Sequence, residues 1–278
     1  MIKLTKKPLF NPQGDTEVRL RRMIGGNTTN LNDFTQMRYT WVSDWYRQAM
    51  NNFWIPEEIN LSQDKKDYPG LSKKERQAYD KILSFLVFLD SIQSANLPCI
   101  SEYVTANEIN LCLSIQAFQE CVHSQSYSYM LDTICSPEKR NEILYQWKSD
   151  AHLLERNTFI GNLYNEFQEK QDAQTLLKVM MANYILEGVY FYSGFCFFTI
   201  SAAMEKLPGC AQEIRYINLG REYPFMAVSE YDFGIKERRA AAFYRGKRAD
   251  AERNDERRRP AGNAVGALRH WRGHSRSV

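Results

Sequence analysis

Ala117-Phe118-Gln119-Glu120-Cys121-Val122-His123-Ser124-Gln125-Ser126-Tyr127 lies inside a long run of helical apolar spacing, and its reading decides the fold. At about 100° per residue, Glu120, His123 and Tyr127 fall within about 60° of one another on one helix face. Gln116 and Gln119 share that face, in a segment rich in Leu, Ile and Phe. A carboxylate and an imidazole three apart on a helix can ligate one metal ion, which is how bundles with paired metals build half of a site. The same E-x-x-H spacing also occurs on solvated helix faces. A buried Glu beside a buried His, however, needs a charge partner, and a metal ion supplies one.

The helical spacing recurs on both sides of this stretch. Ser72 and Glu75 form a capping box, and a helix is expected from there to about Asn96, stopped by Pro98. Its apolar positions Ile82, Phe85, Leu86, Phe88 and Leu89 lead to Asp90, an acid at the end of an apolar stripe. The central helix should cover about Ala106 to Cys135, with Pro137 blocking it, and a further helix about Pro137 to Gln168. A mostly apolar helix runs from Asp172 to about Glu205, and another begins near Pro208 and carries Ile214 and Ile217. Upstream, Asn32 to Asn51 reads as a helix bearing Trp41, Trp45 and Tyr46, broken by Phe53-Trp54-Ile55-Pro56. Residues 1–30 are irregular, with Pro8, Pro12 and a Gly25-Gly26 turn. No strand pattern, phosphate-binding loop or repeat stands out, so the class is all-α with long helices.

With 278 residues and 44% hydrophobic content, the chain suits one sizeable domain. Of its 36 Lys and Arg and 33 Asp and Glu, residues 219–278 hold 14 and 8, leaving 22 basic against 25 acidic residues before them. The body is therefore slightly acidic, and the basic balance of the whole comes from its last segment. Cys99, Cys112, Cys121, Cys135, Cys196 and Cys210 include no C-x-x-C pair and read as reduced thiols of a cytoplasmic protein. Met1 to Pro12 has no apolar core, so no signal peptide is read there. Residues 184–203 have about the length of a membrane span. Glu187 sits inside them and no second such stretch stands out, so a central bundle helix is expected instead, without membrane association.

Three acids with apolar surroundings now stand on three helices: Asp90, Glu120 and Glu187, with His123 beside the second. Singly, each reads as a capped or paired structural residue. Together they resemble the inward carboxylates of a bundle that holds two metal ions. Oxygen-rich ligation with few His suits iron or manganese.

Leu89-Asp90-Ser91-Ile92-Gln93, the Glu120–His123–Tyr127 segment and Leu186-Glu187-Gly188-Val189-Tyr190-Phe191 together resemble the small subunit of class I ribonucleotide reductase, over roughly residues 30–218 and in the family's order. The resemblance implies a ferritin-like bundle in which Asp90, Glu120 and His123 bind one metal. Glu120 would bridge to a second ion, which Glu187 binds. It implies that Tyr127 becomes a stable radical, that Phe191, Phe195 and Ile217 shield it, and that Trp54 carries the radical toward a large subunit. A di-iron or di-manganese centre, a homodimer and a large-subunit partner follow from the same resemblance. Other readings are a related di-metal carboxylate oxidase and a catalytically dead, truncated subunit. The Tyr127 segment together with Trp54 favours the reductase.

The pattern stops after Ile217. The family carries a second E-x-x-H there, whereas this chain reads Asn218-Leu219-Gly220-Arg221-Glu222-Tyr223-Pro224-Phe225, with Pro224 expected to end the helix. The only remaining histidines are His152, His270 and His274. Leu219 to Glu237 can be encoded so that loss of one base gives Arg-Asp-Glu-Ser-Ile-His-Leu-Trp, an E-x-x-H in register. The expectation is thus an irregular segment 1–30, a di-metal bundle 31–218 left incomplete at its C-terminus, and a disordered, out-of-frame segment 219–278. As a genuine extension, the basic run Arg257-Arg258-Arg259 would suit nucleic acid or a membrane surface instead. Neither partner is expected.

Overall fold

The computed structural model describes residues 2–229, and their side chains through residue 219. These residues belong to one unit, Met1–Tyr231. Residues 2–40 carry a single short 3-10 turn, Val18–Leu20, and pair with the rest through isolated bridges such as Ile24 with Val104. Buried Glu108 ties this segment down, accepting from the backbone N–H of Arg38 and facing Arg21 at 3.6 Å. Helix α1 (Trp41–Asn51) begins nine residues later than its apolar pattern suggests. Asp33 explains the delay, because its carboxylate accepts from the N–H of Thr35 and holds a turn there.

Helix α2 (Ser62–Gly70) was not legible in the sequence, being polar along most of its length. Helix α3 (Lys73–Ser101) starts at the expected capping box, with Ser72 and Glu75 bonded reciprocally. It does not stop at Pro98 but runs three residues past it, without the bond Pro98 cannot donate. Helix α4 (Asn107–Ile134) lies within a residue of its expected bounds. The next expected helix is two, α5 (Pro137–Tyr145) and α6 (Ala151–Lys170), because Asp150 caps a new start by accepting from the N–H groups of His152 and Leu153.

The apolar helix after Asp172 is continuous but not uniform. Helix α7 (Ala173–Ile185) passes through a π turn, Leu186–Tyr190, into α8 (Phe191–Ala203). Helix α9 (Pro208–Ser229) begins where expected and, contrary to expectation, continues past Pro224. The segment expected to be disordered, 219–278, lies outside the described residues from residue 230 onward.

Helices α3, α4, α9 and α8 pack in a ring, each touching the next, with α6 against α3 and α7. Leu83, Leu86, Leu89, Met130, Leu131, Phe191 and Phe198 are fully buried between them. Among the described residues two helical stretches, Lys73–Ser101 and Ala173–Ala203, are long and apolar enough to cross a membrane, so the second such stretch missed in the sequence exists. Both are walls of this ring, which accounts for their composition.

The start of α9 is set by α2. Buried Asp64 accepts from the N–H groups of Gly209 and Cys210 at 2.9 and 2.7 Å. A Cβ on Gly209 would stand 2.7 Å from the carbonyl oxygen of Asn60, so only glycine permits this approach. Asp64→Ala should therefore lower stability by about 2 kcal/mol, the upper end for a lost helix cap, read as a fall in the urea midpoint at unchanged slope.

Candidate metal centre

Asp90 on α3 and Glu120 and His123 on α4 meet in the middle of the ring. Each offers a ligand atom, and these atoms lie within 4.8 Å of one another. His123 Nδ1 stands 3.1 Å from Glu120 Oε2 and 3.9 Å from Asp90 Oδ2. All three side chains are at most 2% exposed. Two buried carboxylates turned toward one imidazole are costly to hold out of water without a shared cation. Two carboxylate oxygens and one imidazole nitrogen form an oxygen-rich donor set of the kind that holds a divalent metal ion.

Glu187, the third acid, is buried on the π turn but stands outside this group of three. The π turn adds one residue to the helical register at the position of the acid, a device common at functional sites. Gln93 Nε2 reaches Glu187 Oε1 at 3.5 Å. Gln93 follows Asp90 by one helical turn, and Asn183 precedes Glu187 by four residues. Both are buried polar residues in apolar stripes, a signal present in the sequence and not used there. Tyr164 on α6 joins them, bonded to Gln93 Oε1 at 2.8 Å, and nothing in its local sequence marks it.

Tyr127, one turn beyond His123, is wholly buried. Phe191 and Phe195 are buried at the start of α8 with rings nearly parallel at 6.2 Å, and Ile217 is buried on α9. Trp54 is 9% exposed and packs at 5.4 Å against Tyr216, the neighbour of Ile217 on α9.

Ser126, the neighbour of Tyr127, donates its hydroxyl to Glu213 Oε2 on α9. Glu213 is fully buried, and its Oε1 has no hydrogen-bond partner among the described residues. Burial, followed by the charges of Asp64 and Glu57, pushes its pKa up from 4.5 to about 8 against the lowering effect of Ser126. The folded chain thus binds a proton that the unfolded chain releases between those values. Stability is highest below the unfolded value and falls as pH rises from about 4.5 to about 8. Thermal midpoints across that window should fall for the native chain and vary less for Glu213→Gln.

Residues 31–222 match the family described as ribonucleotide reductase, small chain. The chain is 71% identical over 215 residues to the ribonucleoside-diphosphate reductase subunit beta of Treponema pallidum, an alignment covering 77% of this chain and 61% of that protein. It is 43% identical to the subunit of the same name from Aquifex aeolicus, over 77% of this chain and 31% of that one. The chain thus spans less than two thirds of the length of these relatives. Among solved structures, the ribonucleotide reductase R2 subunit from Clostridium botulinum superposes with a TM-score of 0.82 at 46% identity, covering 87% of this chain and 75% of that one. The R2-like ligand-binding oxidase of Sulfolobus acidocaldarius, at 19% identity and a TM-score of 0.61, shares the fold alone. The helical ring is the ferritin-like bundle of these R2 subunits, and the chain belongs to the ribonucleotide reductase small-chain family.

Proposed function

We propose that this chain is the metal- and tyrosine-bearing subunit of a cytoplasmic ribonucleoside-diphosphate reductase, acting as a homodimer with a large subunit that holds the substrate. The observation that carries this reading is the buried Asp90–Glu120–His123 group with Tyr127 one turn beyond it on the same helix. The names of the relatives support it. In this reading the three residues would hold one ion of iron or manganese, and Glu120 and Glu187 would contribute to a second. Tyr127 is the residue to be oxidised. Phe191, Phe195 and Ile217 keep water from it, as their burial supports. Trp54 is the outlet toward the large subunit, and its packing against Tyr216 ties it to the helix of Ile217.

The donor set fits one ion and does not supply the full second position. A second E-x-x-H would fall after Ile217, and the sequence from Asn218 to Phe225 contains no His. A complete centre, when bound, supplies the oxidant for the phenol, so this chain as written is not expected to form a Tyr127 radical. Residues 31–218 carry the bundle function, residues 1–30 form an irregular N-terminal segment, and residues 219–278 are read out of frame. The end of the family match at residue 222 supports that last point.

Metal analysis after anaerobic iron loading should find no more than one tightly held ion per chain, falling toward zero in His123→Ala. Exposure to air should give no long-lived tyrosyl signal by electron paramagnetic resonance. Two ions per chain with a stable radical would sink this reading of the centre. Deleting one base at the Leu219 codon, so that Asn218 is followed by Arg-Asp-Glu-Ser-Ile-His, should raise the metal count to two. It should also give a Tyr127-dependent radical and reductase activity with a cognate large subunit. A repaired gene with an early stop, or a product no better at holding metal, would show that the segment after Asn218 is native.

A further inference from the structure

The surroundings of Glu187 form a network with a direction. Gln93 Nε2 donates to Asn183 Oδ1 and reaches Glu187 Oε1 at 3.5 Å. The hydroxyl of Tyr164 donates to Gln93 Oε1 at 2.8 Å and lies 3.4 Å from Asn183 Oδ1. Gln93 comes from α3, Tyr164 from α6, Asn183 from α7 and Glu187 from the π turn, and all four are buried.

In the observed arrangement the Gln93 amide faces acceptors on one side and a donor on the other. The carbonyl oxygen of Asn183 and the carboxylate of Glu187 accept only. Gln93 turns its NH2 toward them. A flipped amide would set its own carbonyl against two oxygens, with no proton between them. The Tyr164 hydroxyl donates to the Gln93 carbonyl, a bond that such a flip would break. The phenol keeps its proton: burial first, then the charges of Glu187 and Glu120, push its pKa well above the usual tyrosine range.

We propose that Tyr164 and Gln93 are positioning residues for Glu187. The phenol locks the Gln93 amide, and the locked amide holds the Glu187 carboxylate against α3, the helix that carries Asp90. What Glu187 then does rests on the metal-centre reading above, whereas the network stands on the contacts themselves. Tyr164 thereby acts on a metal ligand through one intermediate side chain, as outer residues of metal sites commonly do.

Measurements on the purified, metal-free full chain test this. The Gln93 side-chain NH2 protons are followed by NMR in the native chain and in Tyr164→Phe, which keeps the ring and loses the donor. They should be protected from solvent exchange in the native chain and lose that protection in Tyr164→Phe, while the far-ultraviolet circular dichroism stays the same. Protection should also fall in Glu187→Ala, whose carboxylate faces that NH2, and unchanged protection there overturns the link to Glu187. Equal exchange in the native chain and Tyr164→Phe overturns the network. A protected amide in a native chain that binds no Mn(II) upholds the network and removes the metal-centre reading alone.

Discussion

Holding Asp90, Glu120, Glu187 and His123 out of water is the constraint on which the rest of this bundle depends. Each buried charge costs several kcal/mol even after relaxation, and a domain has only about 5–15 kcal/mol of net stability. Packing alone cannot carry three carboxylates on that margin. The chain meets the cost by bringing two of them to one imidazole and turning the amide of Gln93 toward the third. The long apolar faces of α3, α4 and α8 close around these polar groups, and the neighbouring positions are Leu, Met and Phe.

What could be read from the sequence follows the range of the interactions involved. The capping box at Ser72, the bounds of α4 and the shared face of Glu120, His123 and Tyr127 are settled within a few residues, and all were legible. Asp90 and Glu187 were legible as acids in apolar stripes. The break at Asp150 was local too, but the helical pattern on either side hid it. Pro98 and Pro224 misled because a proline removes one hydrogen bond, and a long helix can continue across that loss. Tyr164 meets Gln93 across 71 residues, and Ser126 meets Glu213 across 87. No local pattern announces such pairs, so the second layer of the site became visible only in three dimensions.

Helix α9 is held by two acids with different satisfaction. Asp64 is matched by two backbone N–H groups at the helix start, where the helix dipole also favours a negative charge. Glu213, one turn further along, has a single hydroxyl partner, and burial raises its pKa. The first secures the helix on α2, and the second seats it on α4 beside Tyr127. The helix that carries Ile217 is thus fixed by polar contacts at its start and by apolar packing further along.

The π turn at Leu186–Tyr190 has a mechanical consequence. An extra residue in one turn rotates everything after it by about 100° relative to an unbroken α-helix. Helix α7 and helix α8 therefore keep separate angular settings, though they belong to one continuous helical backbone. Asn183 belongs to the first setting, and Phe191 and Phe195 belong to the second. Glu187 lies on the joint between them. The turn works as a coupling with an offset: one side can be fitted to an acid's hydrogen-bond partners and the other to an aromatic lining. A uniform helix would force a single compromise on both.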